Sequence, residues 1–286
     1  MADKIILITG ATSGVGKAVA FELTAPNHQL VLVARSKPKG EALRQALLEQ
    51  HPTVKVDLLL ADLSLQKDIH ALVATFRQRY DRLDVLINCA GLVSSQRRET
   101  PEGIEQTLAV NYLSYYLLTM LLAEPLQQAR QGRIVHVASL IPPFAKVYFS
   151  DLHGKNRYSG VRAYLQSKVA GVMFTYERAE QLKHTRVTVN AVHPGVVRTN
   201  LGVETSSGWL QGFVRFCMRF IAISPQQSAR RILRLALSPE LNAVTGKYFK
   251  DGPQPVATNS FSNHPDNRRR LLEVSQLLTK VVSTTR

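Results

Sequence analysis

The stretch KIILITGATSGVGKAVA, Lys4 to Ala20, sets a short apolar run against a glycine-rich turn and then a helix-forming segment. An unbroken β-branched and leucine run of this length reads as a strand buried on both faces, the kind that fills parallel sheets. Gly10, Gly14 and Gly16 follow it at Gly-x-x-x-Gly-x-Gly spacing. Glycines there let main-chain amides approach a pyrophosphate at a helix N-terminus, and Thr12, Ser13 and Val15 are candidate contacts of the same loop. The spacing departs from the commoner G-x-G-x-x-G, and a plain tight turn of small residues is the alternative.

Outward from this stretch the pattern repeats. QLVLVAR (29–35), VKVDLLLAD (54–62), LDVLINCAG (83–91), GRIVHVAS (132–139) and RVTVNAVHPG (186–195) read as further strands. Helical stretches fall near 15–25, 38–50, 65–79, 104–129, 161–183 and 225–237, with a short last strand at GKYF. Such alternation predicts an α/β fold: a single-domain Rossmann-type doubly wound parallel sheet with helices on both faces. Residues 1–286 are read as one domain, with an irregular apolar segment at 201–223 and a C-terminal arm and helix at 251–286. The arm from Asp251 to Asp266 is expected on the surface, with NRRRLLEVSQLLTKVV as a terminal helix.

The chain has 286 residues, 45% of them hydrophobic and 20% charged, which suits a soluble globular protein. MADKIILITG lacks the apolar core of a signal peptide, and no run is long enough to span a bilayer. These features lead to an expected cytoplasmic location. Two cysteines, Cys89 and Cys217, make neither a disulfide framework nor a metal-ligand spacing, so no metal is expected. The net charge is +15, and residues 198–286 hold 13 Lys/Arg against 5 Asp/Glu, a difference of +8. No zinc knuckle, helix-turn-helix or basic-aromatic pattern accompanies it, so nucleic acid is not an expected partner. An anionic membrane surface or a polyanionic cofactor remains.

The second strand ends at Arg35, where an NAD-binding protein carries an acid to hold the ribose hydroxyls. A guanidinium suits the 2′-phosphate of NADP, with Lys17 and Lys39 adding positive field; a solvated strand-end arginine is the alternative. Asp62, followed by Leu63, either contacts an adenine amino group or N-caps the next helix. Asn88, Ala90 and Gly91 end the fourth strand with little bulk, where a ribose would pass close to the backbone. Cys89 reads as a packing residue rather than a nucleophile.

Ligands of doubly wound sheets sit beyond the carboxyl ends of the strands, which places Ser139 at the rim. Tyr164 and Lys168 fall on the next helix at i and i+4, and of nine tyrosines only Tyr164 has a lysine four residues on. A free phenol titrates near 10, too high for efficient acid/base work, and a nearby ammonium is expected to lower it. Ser139 would hydrogen-bond the substrate oxygen as charge develops. Two ordinary polar residues on a helix surface are the competing reading.

Taken jointly, Thr9-Gly10-x-x-x-Gly14-x-Gly16, Asn88-x-Ala90-Gly91, Asn111, Ser139, Tyr164-x-x-x-Lys168 and Pro194-Gly195 through Thr199 resemble the short-chain dehydrogenase/reductases, in that family's order. The likeness covers residues 4 to about 250. LAVNYLSYYLLTMLL, AYLQSKVAGVMFTYERA, VNAVHPGVVRTNL and GKYF resemble the retinol dehydrogenase-like branch. The resemblance implies NADP(H) as cofactor, Tyr164 as general acid, Lys168 tuning it and binding the nicotinamide ribose, and Ser139 orienting a carbonyl. It also implies that Asn111 holds a water in the proton relay and that Pro194, Gly195, Val197 and Thr199 line the nicotinamide. Cys89 departs from the family, which commonly has a second asparagine there.

GWLQGFVRFCMRFIAIS (208–224) sits where this family places its variable substrate loop. Its aromatic stripe implies an apolar aldehyde, ketone or alcohol as substrate, retinal-like or lipid-derived. Plain core packing is the bland alternative, and with Arg215 and Arg219 a peripheral membrane contact is a third reading. A steroid, ring-ketone or enone reductase on the same scaffold, and a catalytically silent dinucleotide-binding regulatory protein, are the alternative functions. The sequence leaves the oligomeric state open, a homo-oligomer included.

Overall fold

The computed structural model describes residues 4–24, 28–195 and 223–282. Seven parallel strands form one sheet: β1 (Lys4–Thr9), β2 (His28–Ala34), β3 (Lys55–Leu60), β4 (Val85–Asn88), β5 (Arg133–Val137), β6 (Thr188–Val192) and β7 (Lys247–Phe249). They lie in the order β3-β2-β1-β4-β5-β6-β7, with Lys4 opposite His28 and Ile6 opposite Val85. This is the doubly wound sheet that the alternation of short apolar runs and amphipathic segments predicts.

Strand periodicity divides the core in two. Side chains alternate across a sheet, so Leu7, Val31, Val33, Leu86 and Ile134 face one side, while Ile6, Ile8, Leu30, Leu32, Val85 and Val135 face the other. The second side is covered by α1 (Gly14–Glu22), α2 (Lys37–Gln50) and, further along the chain, α8 (Pro225–Leu237). The first side is covered by α3 (Gln66–Arg79), by a composite helix after Glu105, and by α7 (Gly160–Gln181). Both layers are close to fully buried, which is why the strands read as unbroken apolar runs.

The segment expected as one helix over 104–129 is broken. It consists of α4 (Gln106–Leu108), a π-helical turn (Ala109–Leu113), α5 (Ser114–Leu121) and α6 (Ala123–Gln128). Glu105 caps the start by accepting from the amides of Thr107 and Leu108. Pro125 stands in the first turn of α6, where its missing N–H leaves no broken helical bond. The π turn carries Asn111, and such turns re-aim side chains where a regular helix would not.

The C-terminal segment is exposed from Asp251 through Val256, then folds back onto the body. It forms α9 (Ser260–Asn263) and α10 (Pro265–Thr279). The Tyr112 and Ser275 hydroxyls meet at 2.6 Å, and the Tyr116 phenol donates to the Val281 carbonyl at 2.8 Å. Phe261 and the terminal helix, through Leu271, Leu272, Val274 and Leu278, thus pack on the body, while 263–266 stay exposed. No helix among the described residues is long and apolar enough to cross a membrane.

Candidate active site

β1 and β4 are neighbours although two strands separate them in sequence, so the winding reverses between them. The crevice beyond their carboxyl ends is the ligand position of this architecture. Gly10 leaves β1 at φ +68°, and a Cβ there would stand 2.7 Å from the Ala90 Cα. A Cβ on Gly16 would meet the Gly10 carbonyl oxygen at 2.3 Å. The Thr9 hydroxyl accepts from the amides of Cys89 (2.9 Å) and Ala90 (3.0 Å), lacing the two strand ends together.

α1 starts at Gly14 (φ +52°) with no side-chain cap from Ser13 and no acid in its first turn. Its leading amides and positive dipole end are left for an anion from outside. Thr12 and Val15 are partly buried beside it and Ser13 is exposed. A dinucleotide pyrophosphate fits this cradle, which offers main-chain donors and excludes side chains.

Arg35 is exposed just past β2, with no acidic residue at that strand end. Lys17 and Lys39 are exposed as well, and the Lys17 ammonium lies 5.8 Å over the Phe21 ring. Asp62 does not cap α3, whose N-cap is Leu65. Its Oδ1 instead accepts from the Ser64 amide (2.9 Å) and hydroxyl (2.7 Å), because three residues of turn intervene before the helix. Leu63 is buried.

Around the other half of the rim the polar groups are side chains. Ser139 stands two residues beyond β5, and its hydroxyl is hydrogen-bonded to the Tyr164 phenol. Tyr164 lies in the second turn of α7, whose first turn Ser159 caps. Lys168, one turn on, is buried, and its Nζ donates to the Val137 carbonyl at 2.8 Å. That Nζ is 5.9 Å from the centre of the Tyr164 ring. The helix thus brings together the three residues expected at the rim.

The electrostatics differ from the expectation. Burial pushes the Tyr164 phenol above its ordinary range, and the opposing influence is the Ser139 hydroxyl rather than the Lys168 ammonium. Burial also pulls Lys168 down to about 8, against a smaller upward pull from Cys89. A buried ammonium tethered to a carbonyl has less charge to lend its neighbour. The Cys89 thiol is pushed up to about 11 by burial, which makes it unreactive.

Asn111 is fully buried, and its amide is committed to structure. Oδ1 accepts from the Leu92 amide (2.8 Å), and Nδ2 donates to the Leu92 carbonyl (2.9 Å) and the Ser167 hydroxyl (3.1 Å). These bonds fix the side chain between the end of β4 and α7. Asn88 is buried beneath the rim, its Nδ2 3.4 Å from the Thr119 hydroxyl. Gly91 faces both groups: a Cβ there would lie 3.5 Å from Asn111 Oδ1 and from Lys168 Nζ.

Gly195 takes φ +98°, and a Cβ there would collide with the Ile223 Cδ1 at 2.4 Å. The Pro194 carbonyl accepts from the Ser228 hydroxyl at 2.7 Å. Val197, Thr199 and the aromatic stretch at 208–222 lie outside the described residues. Among those described, no cluster of His, Cys, Asp or Glu is arranged to hold a metal.

Several contributors had no signal in the sequence. The Tyr248 phenol donates to the Ser139 carbonyl at 2.9 Å, across 109 residues of chain. Asn259 donates through Nδ2 to the carbonyls of Pro142 (3.1 Å) and Ala145 (2.6 Å), holding the loop that leaves Ser139. Ser167 was within reach, since it lies inside the same helical turn as Tyr164 and Lys168.

Comparison with known proteins agrees with this geometry. A family model described as short chain dehydrogenase matches residues 4–208. Human retinol dehydrogenase 12 is 36% identical over 253 residues, covering 87% of this chain and 78% of the relative. Human retinol dehydrogenase 13 is 34% identical over 272 residues, 94% of this chain and 82% of the relative. The crystal structure of an uncharacterized protein from Mycobacterium paratuberculosis superposes with a TM-score of 0.78 at 26% identity, covering 99% of this chain and 95% of that one. Levodione reductase shares the fold, with a TM-score of 0.71 at 22% identity, over 87% of this chain and 96% of that one. A glycine cradle at the β1/β4 crevice, a Ser-Tyr-Lys set at the end of β5 and these matches have one explanation: the chain belongs to the short-chain dehydrogenase/reductase family of oxidoreductases, in its retinol dehydrogenase-like branch.

Proposed function

We propose that this protein is an NADP(H)-dependent oxidoreductase interconverting an apolar aldehyde or ketone and its alcohol, with Tyr164 as the acid/base. The observation that carries this reading is the Tyr164 phenol, hydrogen-bonded to Ser139 and one helical turn from a buried Lys168, at the rim of the glycine cradle. The dinucleotide, when bound, supplies or takes the hydride. Tyr164 is protonated at neutral pH and would give its proton to the carbonyl oxygen in reduction, taking it back in oxidation, with the Ser139 hydroxyl opposing the rise that burial imposes. Ser139 donates a hydrogen bond to the same oxygen as charge develops on it.

Lys168 supplies a buried donor beside the phenol, where a nicotinamide ribose would lie over Gly91. Asn111, held by Leu92 and Ser167 beside Lys168 and Gly91, is assigned to the water of the proton relay. Arg35, exposed and without an acid at its strand end, supports NADP(H) over NAD(H). Pro194 and Gly195, with Val197 and Thr199 after them, are assigned to the nicotinamide side; Asp62 and Leu63 are assigned to the adenine side.

That the relatives are retinol dehydrogenases supports a retinol-like substrate, and the loop after Ser139 adds to this. Leu140 and Phe144 on it are 47% and 74% exposed, an apolar lip beside the reacting groups. The residues at 201–223 are assigned to covering the substrate, and a peripheral lipid contact is part of the same proposal.

The test is NADPH oxidation against a panel of aldehydes and ketones graded by size and polarity, with and without lipid vesicles. Turnover rising with apolar bulk supports the reading. A preference for ring ketones or enones would move it to the steroid-type alternative. Absence of turnover with every carbonyl, together with tight NADPH binding, would leave the silent regulatory protein.

A further inference from the structure

Beside the reacting groups, one buried tyrosine meets Ala90, Val137 and Lys168. Tyr115 lies on α5, four residues after Asn111, and is 1% exposed. Its phenol donates to the Ala90 carbonyl at 2.7 Å and lies 3.5 Å from the Val137 carbonyl. Ala90 ends the β4 side of the crevice, and the Val137 carbonyl is the one that receives the Lys168 ammonium. The Lys168 Nζ stands 5.4 Å over the face of the Tyr115 ring.

Asn111 in the π turn meets Leu92 and Tyr115 in α5 meets Ala90, so two side chains one turn apart hold the residues on either side of Gly91 in the loop that ends β4. An ammonium so deeply buried needs its charge balanced, and an aromatic face within 6 Å does this without accepting a hydrogen bond. One Lys168 proton goes to Val137, and Nζ lies 3.5 Å from where a Gly91 Cβ would stand, so the ammonium is beside the glycine over which the ribose is assigned. The phenol itself stays neutral, since burial raises it well above its ordinary range, so it serves as a donor and not as a second acid.

We infer that Tyr115 is a positioning residue that fixes the Lys168 ammonium and the β4 rim for the reaction. This rests on the assignment of Tyr164 and Lys168 proposed above. It divides into two separable parts: the ring keeps Lys168 charged and aimed, and the hydroxyl keeps Ala90 and Gly91 at the distance the cofactor needs.

The experiment compares the full-length wild type with Tyr115→Phe, Tyr115→Leu and Tyr164→Phe, reading NADPH affinity by fluorescence titration and the pH dependence of carbonyl reduction. Tyr115→Phe keeps the ring and loses the Ala90 bond, so NADPH binding weakens several-fold while the alkaline limb of the pH profile stays in place. Tyr115→Leu loses both. A cation without its aromatic partner sheds its proton more readily, so the alkaline limb moves down by roughly half to one pH unit, with kcat lowered about tenfold. If Tyr115→Phe, which removes a single oxygen from the core, matches the wild type in NADPH affinity and Tyr115→Leu leaves the pH profile unmoved, the inference is overturned. Should Tyr115→Leu not fold, an unchanged NADPH affinity in Tyr115→Phe is sufficient to reject it. The underlying assignment fails in a different way, by persistence of turnover in Tyr164→Phe.

Discussion

The two halves of the crevice are built on opposite principles. At β1 the binding surface is main chain: Gly10, Gly14 and Gly16 keep side chains away so that amides at the start of α1 can meet an anion. At β5 and α7 the surface is side chains, and Tyr164, Ser139 and Lys168 owe their properties to burial and to partners brought from distant segments. The first half is rigid because nothing larger fits. The second is tuned, because moving a phenol or an ammonium by one neighbour changes its protonation.

The comparison is broken most sharply at Tyr164. Tyr164→Phe is expected to lower turnover by about a thousandfold, within the range of a lost general acid. NADPH affinity should stay within a factor of about three, because the cradle is untouched. Comparable losses in both would mean that the halves are not separable.

Gly16→Ala attacks the other half. Its Cβ would press on the Gly10 carbonyl at 2.3 Å, so the loop must shift; NADPH binding should fall by on the order of a hundredfold, with roughly 2 kcal/mol lost in thermal unfolding. Arg35→Ala tests which dinucleotide the cradle half prefers. The KM for NADPH should rise about tenfold with that for NADH unchanged, and equal effects on both would remove the case for a 2′-phosphate contact.

Lys168 gives the tuned half a pH signature in stability. Its folded-state value of about 8 lies below its ordinary 10.5, so the folded protein binds fewer protons between those limits. Stability from this group is therefore full above about 10.5 and is lost as the pH falls through about 8. Lys168→Met should melt at a higher temperature than wild type at pH 7, and this advantage, on the order of 3 kcal/mol, should shrink by pH 10. It should be slow in carbonyl reduction throughout.

The smallest effect is expected at Asn259, which reaches the site only through the loop after Ser139. Asn259→Ala should cost about 1–2 kcal/mol and raise the KM of bulky carbonyls a few-fold, leaving kcat for small aldehydes unchanged. A fall in kcat for all substrates would instead show that the loop sets the position of Ser139 itself.

Much of the fold was legible because strand and helix periods are written locally. The run KIILIT matches β1 from end to end, and α8 occupies the 225–237 that its amphipathic pattern marks. The departure at Asn111 was legible only as an asparagine that could kink a helix or pack, and its partner was not. What breaks it is a bond from Asn111 to Leu92, nineteen residues back. The surface reading of the arm fits the exposed residues 251–257 and 263–266, but the contacts made between them were not legible for a similar reason. Pro, Asn and Ser mark irregular backbone, but they carry no record of the carbonyls at Pro142 and Ala145 that Asn259 meets.

By itself the sequence determined the order of strands and helices, the glycine cradle and the identity of the Tyr-Lys pair, since each is a matter of spacing along the chain. Only the tertiary structure decided the protonation of that pair. Burial is a property of what surrounds a group, and the surroundings of Tyr164 and Lys168 come from Ser139, Val137, Tyr115 and Cys89, which neighbour them only after folding. The reading of Lys168 as the group that lowers the phenol was a statement about spacing. In the folded molecule the distance, the tether to Val137 and the desolvation of both groups outweigh it.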